Sequence, residues 1–138
     1  MREALLQELC QVAVTAARSA GEIIQTHVNQ EIVVSHKEGG DTLASQVVTK
    51  VDRMAEEAIV ATIKPISGKR DIAILTEETP DDGSRFENDY FWSIDPMDGT
   101  LAFVEKKPGY AVSIGLVARQ GILKGSKLVF PIVPVLLS

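Results

Sequence analysis

From Arg2 to about Val28, apolar residues recur at Leu5, Leu9, Val12, Ala16, Ala20 and Ile23. This three-and-four spacing predicts one long helix with a single buried stripe. Ala16, Ala17 and Ala20, with Gly21 beside them, would let a neighbouring element approach closely. Asn29 to Val34 reads as a short connection into an extended piece, and Lys37 to Thr42, which contains Gly39-Gly40-Asp41, as a flexible turn. A second helix is expected to start at Thr49, an N-cap with Asp52 three residues on. Val51, Ala55, Ala58, Ile59 and Ile63 mark its buried side, and Pro65 is expected to stop it. Asp71 to Thr76 and Tyr90 to Ile94 read as strands, with a turn at Pro80-Asp81-Asp82-Gly83-Ser84 between them. Ala111 to Val117 reads as a third strand and Leu128 to Val133 as a fourth. Helices first and hairpin-linked strands after them predict an α+β fold, two long helices packed on one face of an antiparallel sheet.

Composition narrows the function classes. A chain of 138 residues, 45% hydrophobic and 24% charged, is expected to form a single globular domain over its whole length. Fourteen Lys and Arg against 19 Asp and Glu give a net charge of -5, a field that repels phosphate backbones, so no nucleic-acid partner is expected. The longest uncharged apolar run, Leu128 to Leu137, is interrupted by Pro131 and Pro134. It falls below the roughly 20 residues a membrane-spanning helix needs, so no membrane is expected. The N-terminus carries an acid at Glu3 and lacks the apolar core of a secretory signal. The lone cysteine, Cys10, cannot form an internal disulfide, which fits a reducing cytoplasm.

The densest chemistry lies in Ile94-Asp95-Pro96-Met97-Asp98-Gly99-Thr100. Asp95 stands where a helix N-cap belongs, Pro96 suits the first helical position, and Asp98 would follow on the same face. Two converging carboxylates need a cation. Oxygen ligands suit Mg²⁺, and backbone amides at Gly99 and Thr100 suit a phosphate oxyanion beside it. The bland alternative is that both acids merely cap a helix. Glu77-Glu78 at the end of the first strand is either a surface pair or a source of a third carboxylate. Asp52 is either a solvated capping residue or part of the same chemistry.

Taken together and in this order, Val48-Thr49-Lys50-Val51-Asp52, Glu77-Glu78, and Asp95-Pro96-Met97-Asp98-Gly99-Thr100 with Phe103 three residues on resemble the inositol monophosphatase family of Mg²⁺-dependent, lithium-sensitive phosphatases. The bisphosphate nucleotidases and fructose bisphosphatases are related to it. The resemblance covers roughly residues 4 to 120. It implies the N-terminal half of an inositol monophosphatase-like fold, with Glu77, Asp95, Asp98 and the Met97 carbonyl as ligands of Mg²⁺. It also implies that the Thr100 hydroxyl, oriented by Asp52, positions and helps deprotonate the metal-activated water that attacks phosphorus, while the amides of Gly99 and Thr100 hold the phosphate. The implied activity is hydrolysis of a small phosphorylated substrate, inositol phosphate ahead of a 3'-phosphorylated nucleotide.

Two departures qualify that expectation. Leu101-Ala102 stands where the family usually has a small or polar pair ending in Asn or Glu. The family's second half supplies another metal-binding aspartate in a W-D-x-A type motif, which these residues lack. The chain therefore reads as a truncated N-terminal half with low or no activity of its own. A rival is a non-catalytic fragment that binds metal weakly or self-associates, for instance as a homodimer, through its apolar tail. Asp98-Gly99-Thr100-Leu101 also resembles the nucleophile motif of the haloacid dehalogenase phosphatases. The three-residue spacing of Asp95 and Asp98, with proline between them, argues against that reading.

Overall fold

The computed structural model describes residues 1–28, 34–36, 47–119, 126–130 and 135–136. The expected turn from Lys37 to Thr42 lies outside the described residues, as do most of the Asn29 to Val34 connection and residues 131–133 of the expected fourth strand.

Helix α1 spans Glu3–His27, as its periodicity predicts. Its buried face is Leu9, Ala13, Ala16, Ala17, Ala20, Gly21 and Ile24, whereas Leu5, Val12 and Ile23 only flank the core. The small side chains on that face let a second helix pack closely. That helix, α2, covers Lys50–Arg70, preceded by the short antiparallel pair β1 (Val34–His36) and β2 (Val47–Thr49). Pro65 does not end it. Ala61 and Pro65 are both exposed, so water can take the carbonyl that proline leaves without an N–H partner. Beyond Pro65 the last turn is held by the core: Ile66 packs against it and Ser67 is buried. Ser67 Oγ donates to the Ile63 carbonyl at 2.8 Å and accepts from Trp92 Nε1 at 2.8 Å. Tertiary packing thus outweighs the local cost of proline.

The main sheet contains five strands: β3 (Ile72–Thr76), β4 (Tyr90–Asp98), β5 (Ala111–Arg119), β6 (Ser126–Phe130) and β7 (Val135–Leu136). Their order is β3-β4-β5-β6, with β7 also paired to β5. The fold is α+β as expected, but the sheet is mixed, because β3 and β4 run parallel. The connection 77–89, which includes a 3₁₀ turn at Ser84–Phe86, is long enough to carry the chain back before β4 begins. Alternation along the strands turns Ile72, Trp92, Ile94, Val112, Ile114 and Leu116 into one hydrophobic cluster with α1 and α2. Ser93 and Asp95 on β4, with Ser113 on β5, fall at the positions between and belong to the opposite face.

Strand β4 also departs from expectation at its end. Asp95 to Asp98 stay extended instead of opening a helix, so Asp95 is not an N-cap. Asp95 pairs with Ser113 and Asp98 with Ala111, which leaves one extra residue on β4. A bulge of this kind accommodates Pro96, which has no N–H to give to a ladder. The following helix α3 is a single short element, Thr100–Val104, with Gly99 as its N-cap.

Candidate active site

Thr49 and Asp52 form the expected capping box. The Thr49 backbone N–H donates to Asp52 Oδ2 at 2.9 Å and its hydroxyl donates to the same oxygen at 2.6 Å. The box is more than a cap, because Asp52 is wholly buried and its other oxygen is used as well. Thr100 Oγ1 donates to Asp52 Oδ1 at 2.7 Å and lies 3.0 Å from the Met97 carbonyl oxygen, a second acceptor. The fold therefore joins two sequence-predicted residues, Asp52 and Thr100, across 48 positions of chain.

The Met97 peptide links this junction to the second group of acids. Its carbonyl faces Thr100, and its N–H donates to Asp95 Oδ1 at 3.1 Å. The Glu77 N–H donates to the Ile94 carbonyl at 3.1 Å, which sets the end of β3 beside Asp95. Glu77, Asp95 and Asp98 then line one pocket of about 310 Å³, together with Ser93, Ser113, Gly115 and Val117. Asp95 is pushed up from 3.8 to about 7, first by burial and then by the charges of Glu77 and Asp98, against which the Met97 N–H acts weakly. Among the described residues no basic side chain is named as acting on it.

Gly99 makes the turn from β4 into α3. Its φ of 88° is left-handed, and a Cβ there would meet the Gly109 carbonyl oxygen at 2.4 Å. Only glycine fits this close approach. The turn brings Thr100 down onto Asp52 while Asp98 stays on the pocket side.

Three carboxylates in one pocket, with mutual repulsion acting on Asp95, have the donor chemistry of a hard-cation site. Convergence is incomplete, however. Among the described residues no three His, Cys, Asp or Glu side chains come close enough to hold one ion. Sequence reasoning missed one member of the neighbourhood: Glu56, buried on α2 one turn beyond Asp52, accepts from the Glu78 N–H at 2.9 Å. Its one sequence signal is a place four residues beyond Asp52 on the same helix face, which does not by itself point to Glu78 or Thr79.

The chain matches the inositol monophosphatase family over residues 5–127. It is 41% identical over 110 residues to the Nus factor SuhB of Pseudomonas aeruginosa, with 79% of this chain and 39% of that protein covered. It is 37% identical over 116 residues to human inositol monophosphatase 2, with 83% and 38% covered. Among solved structures it is similar to the extragenic suppressor protein SuhB of Bartonella henselae, at a TM-score of 0.66 and 28% identity, covering 80% of this chain and 41% of that one. The chain thus spans about two fifths of the length of these relatives. The name Nus factor belongs to that relative and stands beside, without replacing, the expectation that an acidic surface disfavours nucleic acid. Among the described residues no helix is long and apolar enough to cross a membrane. The order of the motifs, the joined Thr100 and Asp52, and these matches lead to one conclusion: the chain belongs to the inositol monophosphatase family.

Proposed function

We propose that this chain carries the water-activating part of a Mg²⁺-dependent phosphomonoesterase whose substrate is a small phosphorylated alcohol, inositol phosphate ahead of a 3'-phosphorylated nucleotide. The observation that carries the reading is the buried bond from Thr100 Oγ1 to Asp52 Oδ1, set beside the pocket of Glu77, Asp95 and Asp98. Family membership supports it. Glu77, Asp95, Asp98 and the Met97 carbonyl are the groups that would hold the ion. Magnesium, when bound, supplies the charge that polarises a phosphoryl oxygen and lowers the pKa of water.

The rest is the work of the chain's own groups. Asp52 draws the Thr100 hydroxyl proton toward Oδ1, which leaves the lone pairs of Oγ1 to accept a proton from an attacking water. The two Thr49 donors hold the Asp52 carboxylate in place during that transfer. The Gly99 and Thr100 amides would orient the phosphate. The lone Cys10 supports a cytoplasmic setting, and the single core shared by helices and sheet supports one domain. The apolar run from Leu128 to Leu137 supports self-association, which sedimentation would read out.

These 138 residues contain no W-D-x-A type motif, so they lack the further aspartate that the resemblance implies. Alone they should bind Mg²⁺ yet turn over orders of magnitude more slowly than an intact relative, each ~1.4 kcal/mol of lost transition-state stabilisation being about tenfold. The test is Mg²⁺ titration by calorimetry on this chain and on Asp95→Asn, with phosphate release from inositol monophosphate and from a 3'-phosphorylated nucleotide in the same buffer. Saturable binding that Asp95→Asn loses, with little release, is expected. Unchanged binding in Asp95→Asn overturns the site, and turnover comparable to an intact family member overturns the low activity.

A further inference from the structure

Glu56 is a carboxylate in the second turn of α2, only 8% exposed, and the bonds described for it go to groups not named for chemistry above. Its Oε1 accepts the Glu78 N–H at 2.9 Å, and its Oε2 accepts the Thr79 hydroxyl. Both donors sit immediately after Glu77, the pocket residue supplied by the end of β3. On the other side, the Glu77 N–H is fixed to the Ile94 carbonyl of β4. Glu77 is therefore bracketed by two backbone anchors, one from β4 and one from a helix carboxylate. Asp52 and Glu56 are four residues apart on α2 and so occupy one face. From that face one acid holds Thr100 and the other holds the segment behind Glu77.

We infer that Glu56 is a positioning residue, which aims the Glu77 carboxylate into the pocket by clamping the backbone and hydroxyl groups of Glu78 and Thr79. The inference rests on the proposed function and deepens it. A buried carboxylate satisfied by neutral donors is a costly way to pack a helix, because an apolar residue would fill the space without desolvating a charge. Its bonds go to the segment that leads out of β3 at the edge of the pocket, where Glu77 and Thr79 are both exposed. Removing an outer group that orients a ligand typically weakens metal affinity about tenfold or more.

The experiment compares this chain with Glu56→Ala, Glu56→Gln, Ser67→Ala and Asp95→Asn, using Mg²⁺ alone as the probe. Ser67→Ala breaks a buried bond at the far end of the same helix and serves as a control for stability. Calorimetric Mg²⁺ affinity should fall about tenfold in Glu56→Ala. It should largely return in Glu56→Gln, whose amide oxygen can still accept the Glu78 N–H, and should be unchanged in Ser67→Ala. Hydrogen exchange at the Glu78 amide should speed up in Glu56→Ala and not in Ser67→Ala. If Glu56→Ala does not fold, Glu56→Asp, one methylene too short to reach both the Glu78 N–H and the Thr79 hydroxyl, carries the test, and its affinity must fall below that of Ser67→Ala. Parental affinity in Glu56→Ala, or in Glu56→Asp where it stands in, or an equal loss in Ser67→Ala, overturns the inference alone provided Asp95→Asn abolishes binding. Unchanged binding in Asp95→Asn overturns the proposed function, and this inference with it.

Discussion

The junction around Asp52 and the pocket around Asp95 lie on either side of the Met97 peptide and meet the same problem, a carboxylate removed from water, in opposite ways. Asp52 is fully buried but receives three donors, the Thr49 amide, the Thr49 hydroxyl and the Thr100 hydroxyl. Asp95 is only half buried, receives the Met97 N–H, and otherwise faces the negative charges of Glu77 and Asp98, so its proton is held up to about 7. Burial therefore does not decide how an acid behaves; its partners do. The first site is completed by folding, whereas among the groups described around the second, carboxylates outweigh the one amide donor. On the function proposed above, a cap that also accepts from Thr100 and a pocket of carboxylates are what a metal-assisted hydrolysis would use side by side.

The contrast is most exposed to failure at Asp52. Replacing it by alanine removes the acceptor for three donors in a buried space and also the helix cap. Thr100 can turn to the Met97 carbonyl, but the Thr49 groups have no such alternative among the bonds described. Asp52→Ala should lose about 3 kcal/mol of stability by urea unfolding. A loss below about 1 kcal/mol, the scale of a cap alone, would mean that the junction is not the self-satisfied network described.

The next effect has the opposite sign. The proton on Asp95 is held more tightly in the folded chain than in the unfolded one, about 7 against 3.8. Between those values the folded state keeps a proton that the unfolded state has released, so this group's contribution to stability is full below pH 4 and declines as pH rises to about 7. Water in the open pocket screens the effect, which leaves about 2 kcal/mol. Urea unfolding of this chain and of Asp95→Asn from pH 4 to pH 8 isolates the pocket, because titrating groups away from it cancel in the difference. The parent should lose stability relative to Asp95→Asn as pH rises, with the difference levelling off above about 7. A flat difference would place Asp95 among acids that folding has already satisfied and would erase the contrast.

How much of this was legible in the sequence follows from how local each cause is. Helix α1 announces itself because its apolar spacing is a property of consecutive residues, and the Thr49 cap because its partner is three positions away. The pairing of Asp52 with Thr100 was reachable only through the order of whole motifs, since no local rule joins groups so far apart. Three features were hidden for the same reason. Pro65 is a local stop signal that the burial of Ser67 against Trp92 overrules. The turn residues at Pro80 to Ser84 suggest a hairpin, although the longer connection around them returns the chain to start a parallel strand. The Asp95-Pro96 pair fits a helix start equally well as a bulge, and only pairing with β5 selects the bulge. Glu56 carries no motif at all, and its meaning lies in a backbone segment that only the fold brings near.

The smallest effect discriminates most finely, because it separates the hydroxyl of Thr100 from its bulk. Thr100 is 8% exposed, so Thr100→Ser, which removes one methyl and keeps the donor to Asp52, should lose only ~0.8 kcal/mol. Thr100→Val keeps the volume and removes the donor, which leaves Asp52 Oδ1 without that hydrogen bond in a buried space, and should lose about 1.5 kcal/mol. The order of the two, read from denaturant midpoints measured at the same pH, is the informative quantity. Serine milder than valine means that the hydrogen bond holds α3 against α2, in keeping with a site completed by folding. Valine equal to or milder than serine would mean that packing alone seats Thr100, and that Asp52 is as poorly satisfied as Asp95.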